Sequence, residues 1–79
     1  MKIKILGAGC LNCQALESAV INALAELDIA AEVERISNRE RIAQSGVPGV
    51  PALIVNDSVK VYGRVPRKEE IKNWIAEEK

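Results

Sequence analysis

Two cysteines, Cys10 and Cys13, are the residues of this chain whose type and spacing could do chemistry. They are the only 2 cysteines among 79 residues, and they form a Cys-x-x-Cys motif. In an intracellular protein this spacing is typical either of a metal site or of a redox-active dithiol. A disulfide between residues so close in sequence would close a very short loop and stabilise the fold little. We therefore expect the pair to act chemically.

The segment that carries the pair, residues 7–13, lies between two strong structural patterns. Before it, residues 2–6 alternate in hydrophobicity and predict a β-strand. After it, residues 11–28 place their apolar side chains on one face of a helix. A helix N-terminus favours the thiolate form of a cysteine, because unpaired backbone N–H groups and the helix dipole attract the negative charge. Cys10 is therefore predicted to be the more reactive of the two thiols.

The rest of the chain predicts alternating strands and helices. A strand is predicted over 31–36, followed by a short helix that begins with a Ser37 capping box and runs to Ser45. Strands over 52–55 and 59–62 are joined by a turn. A last helix follows, with Pro66 at its first position. The order β-α-β-α-β-β-α is that of an α/β protein. A right-handed crossover makes the first two strands parallel, and the hairpin makes the last two antiparallel. We expect a single domain over residues 1–79, with a mixed four-stranded sheet and helices on both faces. The first and third helices should share one face.

The composition excludes several classes of function. The 11 basic and 11 acidic residues balance, which argues against binding to nucleic acid or to a membrane surface. Histidine is absent, which excludes histidine-based catalysis and metal ligation by histidine. The sequence contains neither an apolar run long enough to span a membrane nor a signal-peptide pattern. These features favour a cytoplasmic protein.

Two separate stretches of the chain resemble the thioredoxin superfamily. One is Cys-Leu-Asn-Cys at residues 10–13, between the first strand and the first helix. The other is Gly-Val-Pro-Gly-Val-Pro-Ala-Leu at residues 46–53, which is similar to the segment that leads into the third core strand of thioredoxins. The resemblance covers essentially the whole chain, which is nearest in size to the glutaredoxin-like thioredoxins of archaea and bacteria. It implies a thioredoxin fold and a cis peptide bond between Val50 and Pro51.

The resemblance also implies an activity, that of a thiol–disulfide oxidoreductase. Cys10 would attack a substrate disulfide, and Cys13 would resolve the mixed disulfide that results. Substrate would bind beside Val50 and Pro51, with Gly63 flanking the same groove. The expected partners are disulfide-bearing proteins or small thiols, together with a disulfide reductase. The exchange needs no metal or organic cofactor, and we expect a monomer.

A soft-metal carrier is the alternative function. Residues 7–13 also resemble the Gly-x-x-Cys-x-x-Cys motif of heavy-metal-associated domains. Two thiolates suit a soft cation such as copper(I), so the same two cysteines would serve as ligands. Those domains have the order β-α-β-β-α-β and end on a strand, whereas the order predicted here ends on a helix. The predicted element order therefore favours the redox function.

Overall fold

The structure is a computed structural model that describes residues 1–7 and 11–78. Its elements follow the order β-α-β-α-β-β-α, and only their ends differ from the prediction. They are β1 (Lys2–Leu6), α1 (Leu11–Leu27), β2 (Glu32–Ile36), α2 (Arg39–Gln44), β3 (Ala52–Val55), β4 (Ser58–Tyr62) and α3 (Lys68–Glu77).

The strands form one mixed 4-stranded sheet in the order β2-β1-β3-β4. β1 and β2 are parallel, because the crossover helix α1 returns the chain to the end of the sheet at which β1 begins. β3 is antiparallel to both β1 and β4. Asn56 and Asp57 join the hairpin with φ values of 48° and 69°, as a type I′ turn requires. The predicted sheet is confirmed, and β1 and β3 form its centre.

The core lies on both faces of the sheet. Ile3 and Ile5 point to one face, where they pack with buried aliphatic residues of α1 and α3 in the larger of two clusters. Leu6 points to the other face and joins a smaller cluster, against which Ile42 of α2 packs. The prediction that the first and third helices share one face is therefore confirmed. Among the described residues, every buried side chain in these clusters is apolar.

The N-cap of α2 is Asn38, so the prediction that Ser37 caps this helix is wrong. Asn38 Oδ1 accepts hydrogen bonds from the backbone N–H groups of Glu40 at 2.8 Å and Arg41 at 3.3 Å. Its backbone is extended, with φ −75° and ψ 123°, as an N-cap residue requires. Ser and Asn both form caps, and the helix begins after the second of these two neighbours. At the other end, Gly46 has a φ of 83° and follows the helix as predicted.

The last helix begins later than predicted, because Pro66 lies before its N-cap instead of at its first position. The N-cap residue is Arg67, and α3 starts at Lys68. The Glu70 carboxylate accepts a hydrogen bond from the Arg67 N–H at 3.4 Å and another from the Arg64 guanidinium at 2.9 Å. Glu70 therefore satisfies the free N–H at the N-cap, and this fixes the first turn after Arg67.

An ion-pair cluster joins α1 to α3. The Glu26 carboxylate of α1 accepts hydrogen bonds from Lys68 and Lys72 of α3, with the Lys72 Nζ at 3.3 Å. These bonds, the Lys68 bond foremost, lower the pKa of Glu26 below the ordinary range of a glutamate. Because all three groups are open to solvent, screening by water keeps their contribution to stability small. The two helices are held together mainly by the apolar core cluster to which both contribute.

Replacing Asn38 with alanine is expected to lower the free energy of unfolding by about 1 kcal/mol, because the first turn of α2 loses its cap. Urea unfolding followed by circular dichroism measures this change. Ser37→Ala is the matched control, and it should change the free energy of unfolding by less than about 0.5 kcal/mol. An equal loss in both variants would contradict the assignment of Asn38 as the N-cap.

Candidate functional site

Cys13 lies in the first turn of α1, with its side chain directed into the protein. Only 7% of the residue is exposed to solvent. Its sulfur takes part in a disulfide. Cys10, the other predicted catalytic residue, lies outside the described residues. The side chain of Cys13, the cysteine predicted to resolve the mixed disulfide, is therefore shielded from solvent.

Gly7 lies directly against the Cys13 side chain. Its N–H donates a hydrogen bond to the Ile36 carbonyl oxygen at 3.0 Å, which continues the pairing of β1 with β2 by one residue. A Cβ atom added at Gly7 would lie 2.1 Å from Cys13 Sγ and 2.8 Å from Cys13 Cβ. Glycine is therefore required here for close approach, since any side chain would occupy the space of the sulfur. The sequence did not reveal this contact, because it depends on how α1 packs over the end of β1.

A small cavity of about 90 Å³ opens beside Cys13. Its described lining consists of Ile5, Gly7, Cys13, Gln14, Arg35 and Ser37. Arg35 pairs with Ile5 in the sheet register, so its side chain leaves β2 on the face that α1 covers. The Arg35 guanidinium donates to the Glu17 carboxylate of α1 at 2.5 Å. Buried Cys13 therefore shares a cavity with a cationic side chain.

The loop before β3 reaches the same end of the sheet. The Val50–Pro51 peptide bond is cis, as the family resemblance implies. Leu6 and Ala52 are partners in the register of β1 and β3. Because these strands are antiparallel, the residue before Ala52 and the residue after Leu6 extend from the same edge. Pro51 therefore lies at the edge where Gly7 contacts Cys13.

Gly63 is joined to this loop by a hydrogen bond. Its N–H donates to the Pro51 carbonyl oxygen at 2.9 Å, just beyond the last residue of β4. Gly63 has a φ of 78°, a backbone conformation that side chains of L-residues disfavour. Pro51 is buried, whereas Val50 and Gly63 are exposed. The structure therefore brings together the three residues for which substrate binding was predicted.

The sequence and the structure both match known proteins. The family model of the thioredoxin domain matches residues 1–76. The chain belongs to the thioredoxin family. It is 47% identical over 76 residues to the thioredoxin of Methanothermobacter thermautotrophicus, a match that covers 96% of this chain and 99% of that protein. It is 34% identical over 73 residues to the thioredoxin of Methanocaldococcus jannaschii, covering 92% and 84% respectively.

A solved structure shows the same family fold. It is thioredoxin 1 from the thermophilic eubacterium Thermosipho africanus, with a TM-score of 0.66 and 26% identity over 99% of this chain and 93% of that one. The predicted thioredoxin fold and superfamily membership are confirmed. Membership in this family supports a thiol–disulfide oxidoreductase kind of function. Within residues 1–7 and 11–78, no helix has the length and apolar character needed to cross a membrane.

Proposed function

We propose that this thioredoxin-family protein is a dithiol–disulfide oxidoreductase that works through Cys10 and Cys13. The observation that carries the proposal is the setting of Cys13 at the start of α1. It is buried, it is part of a disulfide, and it lies against Gly7 at the edge of the sheet that Pro51 also reaches. A cysteine in this position is shielded from disulfides and thiols in solution, as is expected of a resolving cysteine.

In the proposed reaction two thiols reduce one substrate disulfide. The Cys10 thiolate attacks a substrate sulfur, a mixed disulfide forms, and the first substrate thiolate leaves. The Cys13 thiolate then attacks the Cys10 sulfur, so that the Cys10–Cys13 disulfide forms and the second substrate thiolate leaves. Two electrons thus pass from the protein to the substrate. A disulfide reductase restores the dithiol, and none of these steps requires a metal or an organic cofactor.

We place the substrate beside Val50, Pro51 and Gly63. The Gly63–Pro51 hydrogen bond joins the two loops, and Val50, the residue before Pro51, is exposed to solvent. An extended polypeptide segment can form backbone hydrogen bonds with such an exposed loop, as in other cases of strand addition. Leu11, which follows Cys10 in the chain, and Tyr62, which precedes Gly63, are also exposed. The substrates would be disulfide-bearing proteins or small thiols. The protein would act on them as a monomeric single domain, residues 1–79, in the cytoplasm.

Variants of the two cysteines test the proposal. In an insulin reduction assay with dithiothreitol as donor, Cys10→Ser is expected to lose essentially all activity, because the attacking thiolate is gone. Cys13→Ser is expected to accumulate the mixed disulfide, which mass spectrometry of the intact protein detects. Alkylation in buffers of defined dithiothreitol ratio should show the wild-type pair cycling between its two states.

Two outcomes would contradict the redox function. One is a Cys10→Ser variant that still reduces insulin at the wild-type rate. The other is a wild-type protein that binds copper(I) tightly and in fixed stoichiometry but does not cycle its cysteines. The second outcome would support the soft-metal carrier, which uses the same two residues.

A further inference from the structure

The cavity beside Cys13 combines a buried sulfur with polar neighbours. Burial disfavours a thiolate, because the charge loses its hydration. The resolution step nevertheless requires Cys13 as a thiolate. Gln14, Arg35 and Ser37 line the cavity together with Cys13, and its volume of about 90 Å³ is sufficient for water. These side chains are therefore placed to influence the charge on the sulfur and the departure of its proton.

The position of Arg35 is fixed from two sides. Its backbone pairs with Ile5 in the parallel β1–β2 ladder, one pair before the end of the strands. Its guanidinium donates to Glu17, which lies one helical turn after Cys13 on α1, at a distance of 2.5 Å. The Glu17 side chain is 28% exposed and that of Arg35 is 64% exposed, so the carboxylate is the less accessible partner of this pair. The ion pair therefore holds the guanidinium beside the first turns of α1, on the side of the cavity.

The other cations of the neighbouring elements are engaged elsewhere. Lys68 and Lys72 of α3 bind Glu26 in the second half of α1. Arg64 binds Glu70 at the start of α3. The lysines of β1 alternate with Ile3 and Ile5 and therefore lie on the opposite face of the sheet, as do Glu32 and Glu34 of β2. Among the described residues, Arg35 is the cation that lines the cavity with Cys13.

We infer, on the basis of the proposed function, that Arg35 is a positioning residue that favours the thiolate of Cys13 while the mixed disulfide is resolved. The Cys13 proton leaves to water in the cavity before the attack. The thiolate then forms the bond to the Cys10 sulfur, and the bond from Cys10 to the substrate sulfur breaks with its electron pair on the substrate. The guanidinium takes no part in bond making. Its positive charge offsets the Glu17 carboxylate, which lies one helical turn from Cys13 and would otherwise disfavour the thiolate. Glu17 orients the guanidinium.

The resolution step can be followed with one equivalent of 5,5′-dithiobis(2-nitrobenzoic acid) added to the reduced protein in a stopped-flow instrument. The first thionitrobenzoate is released when Cys10 attacks the reagent, and the second when Cys13 resolves the mixed disulfide. For Arg35→Gln, the pH at which the second phase is half-maximal should rise by about one unit. At pH values below this midpoint, the second phase should be about tenfold slower than in the wild type.

Two further variants serve as controls. Arg35→Lys keeps the positive charge and should restore most of the wild-type pH profile. Arg41→Gln removes a comparable surface arginine, which is paired with Glu34 at 2.7 Å and lies on α2 across the sheet. It should leave the profile unchanged. Far-UV circular dichroism at each pH shows whether the variants remain folded.

The possible results separate the two proposals. A raised midpoint in Arg35→Gln alone supports the inference. A midpoint in Arg35→Gln equal to that of the wild type and of Arg41→Gln overturns it, as does an Arg35→Lys profile shifted as far as that of Arg35→Gln. If the wild-type protein releases no second thionitrobenzoate from one equivalent of reagent, the proposed dithiol function itself fails.

Discussion

Replacing Gly7 with alanine is expected to destabilise the protein and to displace the Cys13 side chain. The added Cβ would lie 2.1 Å from Cys13 Sγ and 2.8 Å from Cys13 Cβ, both inside van der Waals contact. The cysteine side chain is short and begins in the first turn of α1, so it can move away only if the helix moves as well. Overpacking of this kind typically costs 1–3 kcal/mol, and we expect about 3 kcal/mol here. Urea unfolding under oxidising and reducing conditions measures the loss.

Two other glycines provide controls for this variant. A Cβ at Gly49 would meet its nearest atom, Gly63 Cα, at 3.7 Å, so Gly49→Ala should change stability little. A Cβ at Gly46 would meet nothing within 4 Å, but the φ of 83° disfavours alanine, so Gly46→Ala should cost about 1 kcal/mol. If Gly7→Ala were as stable as Gly49→Ala, the close approach of Gly7 to Cys13 would be refuted.

Most elements of the fold were predictable because local patterns determine them. The alternation in residues 2–6 and the apolar stripe of α1 are each strong enough to be recognised without the rest of the chain. The two misplaced helix starts arise where local patterns compete. Ser37 and Asn38 are both good caps, and only the finished turn shows which oxygen reaches the free N–H groups. Pro66 fits the first helical position, but Glu70 fixes the start of α3 after Arg67.

The candidate site was predictable only where motifs mark it. The motifs predicted the roles of Cys13 and of the loop at Pro51, and the structure places both at one edge of the sheet. The contact of Gly7 with Cys13 and the place of Arg35 in the cavity could not be predicted. Both depend on the register of β1 with β2 and on how α1 packs on the sheet, and these bring together residues far apart in sequence. No local sequence pattern determines contacts between residues so far apart in the chain.

Replacing Leu53 with alanine is expected to remove a large part of the stability of the domain. Leu53 is 0% exposed and lies in β3, between β1 and β4, where it belongs to the larger core cluster. Removing its isopropyl group leaves a cavity that the central strand cannot close by moving, because hydrogen bonds to β1 and β4 hold it on both sides. Substitutions of this kind cost 2–5 kcal/mol, and we expect about 3 kcal/mol. For a chain of 79 residues, total stability is on the order of 4–12 kcal/mol.

The matched control is Val59→Ala on the neighbouring strand β4. Val59 is 46% exposed, so its truncation removes little buried surface and should cost less than about 1 kcal/mol. Urea unfolding of both variants, at the same pH and redox state, gives the comparison. Leu53 also follows the Pro51 loop by only two positions, so partial unfolding of β3 would release that loop and should reduce insulin reduction well below the unfolding midpoint. If Leu53→Ala lost no more stability than Val59→Ala, β3 would not be the rigid support on which the proposed substrate site depends.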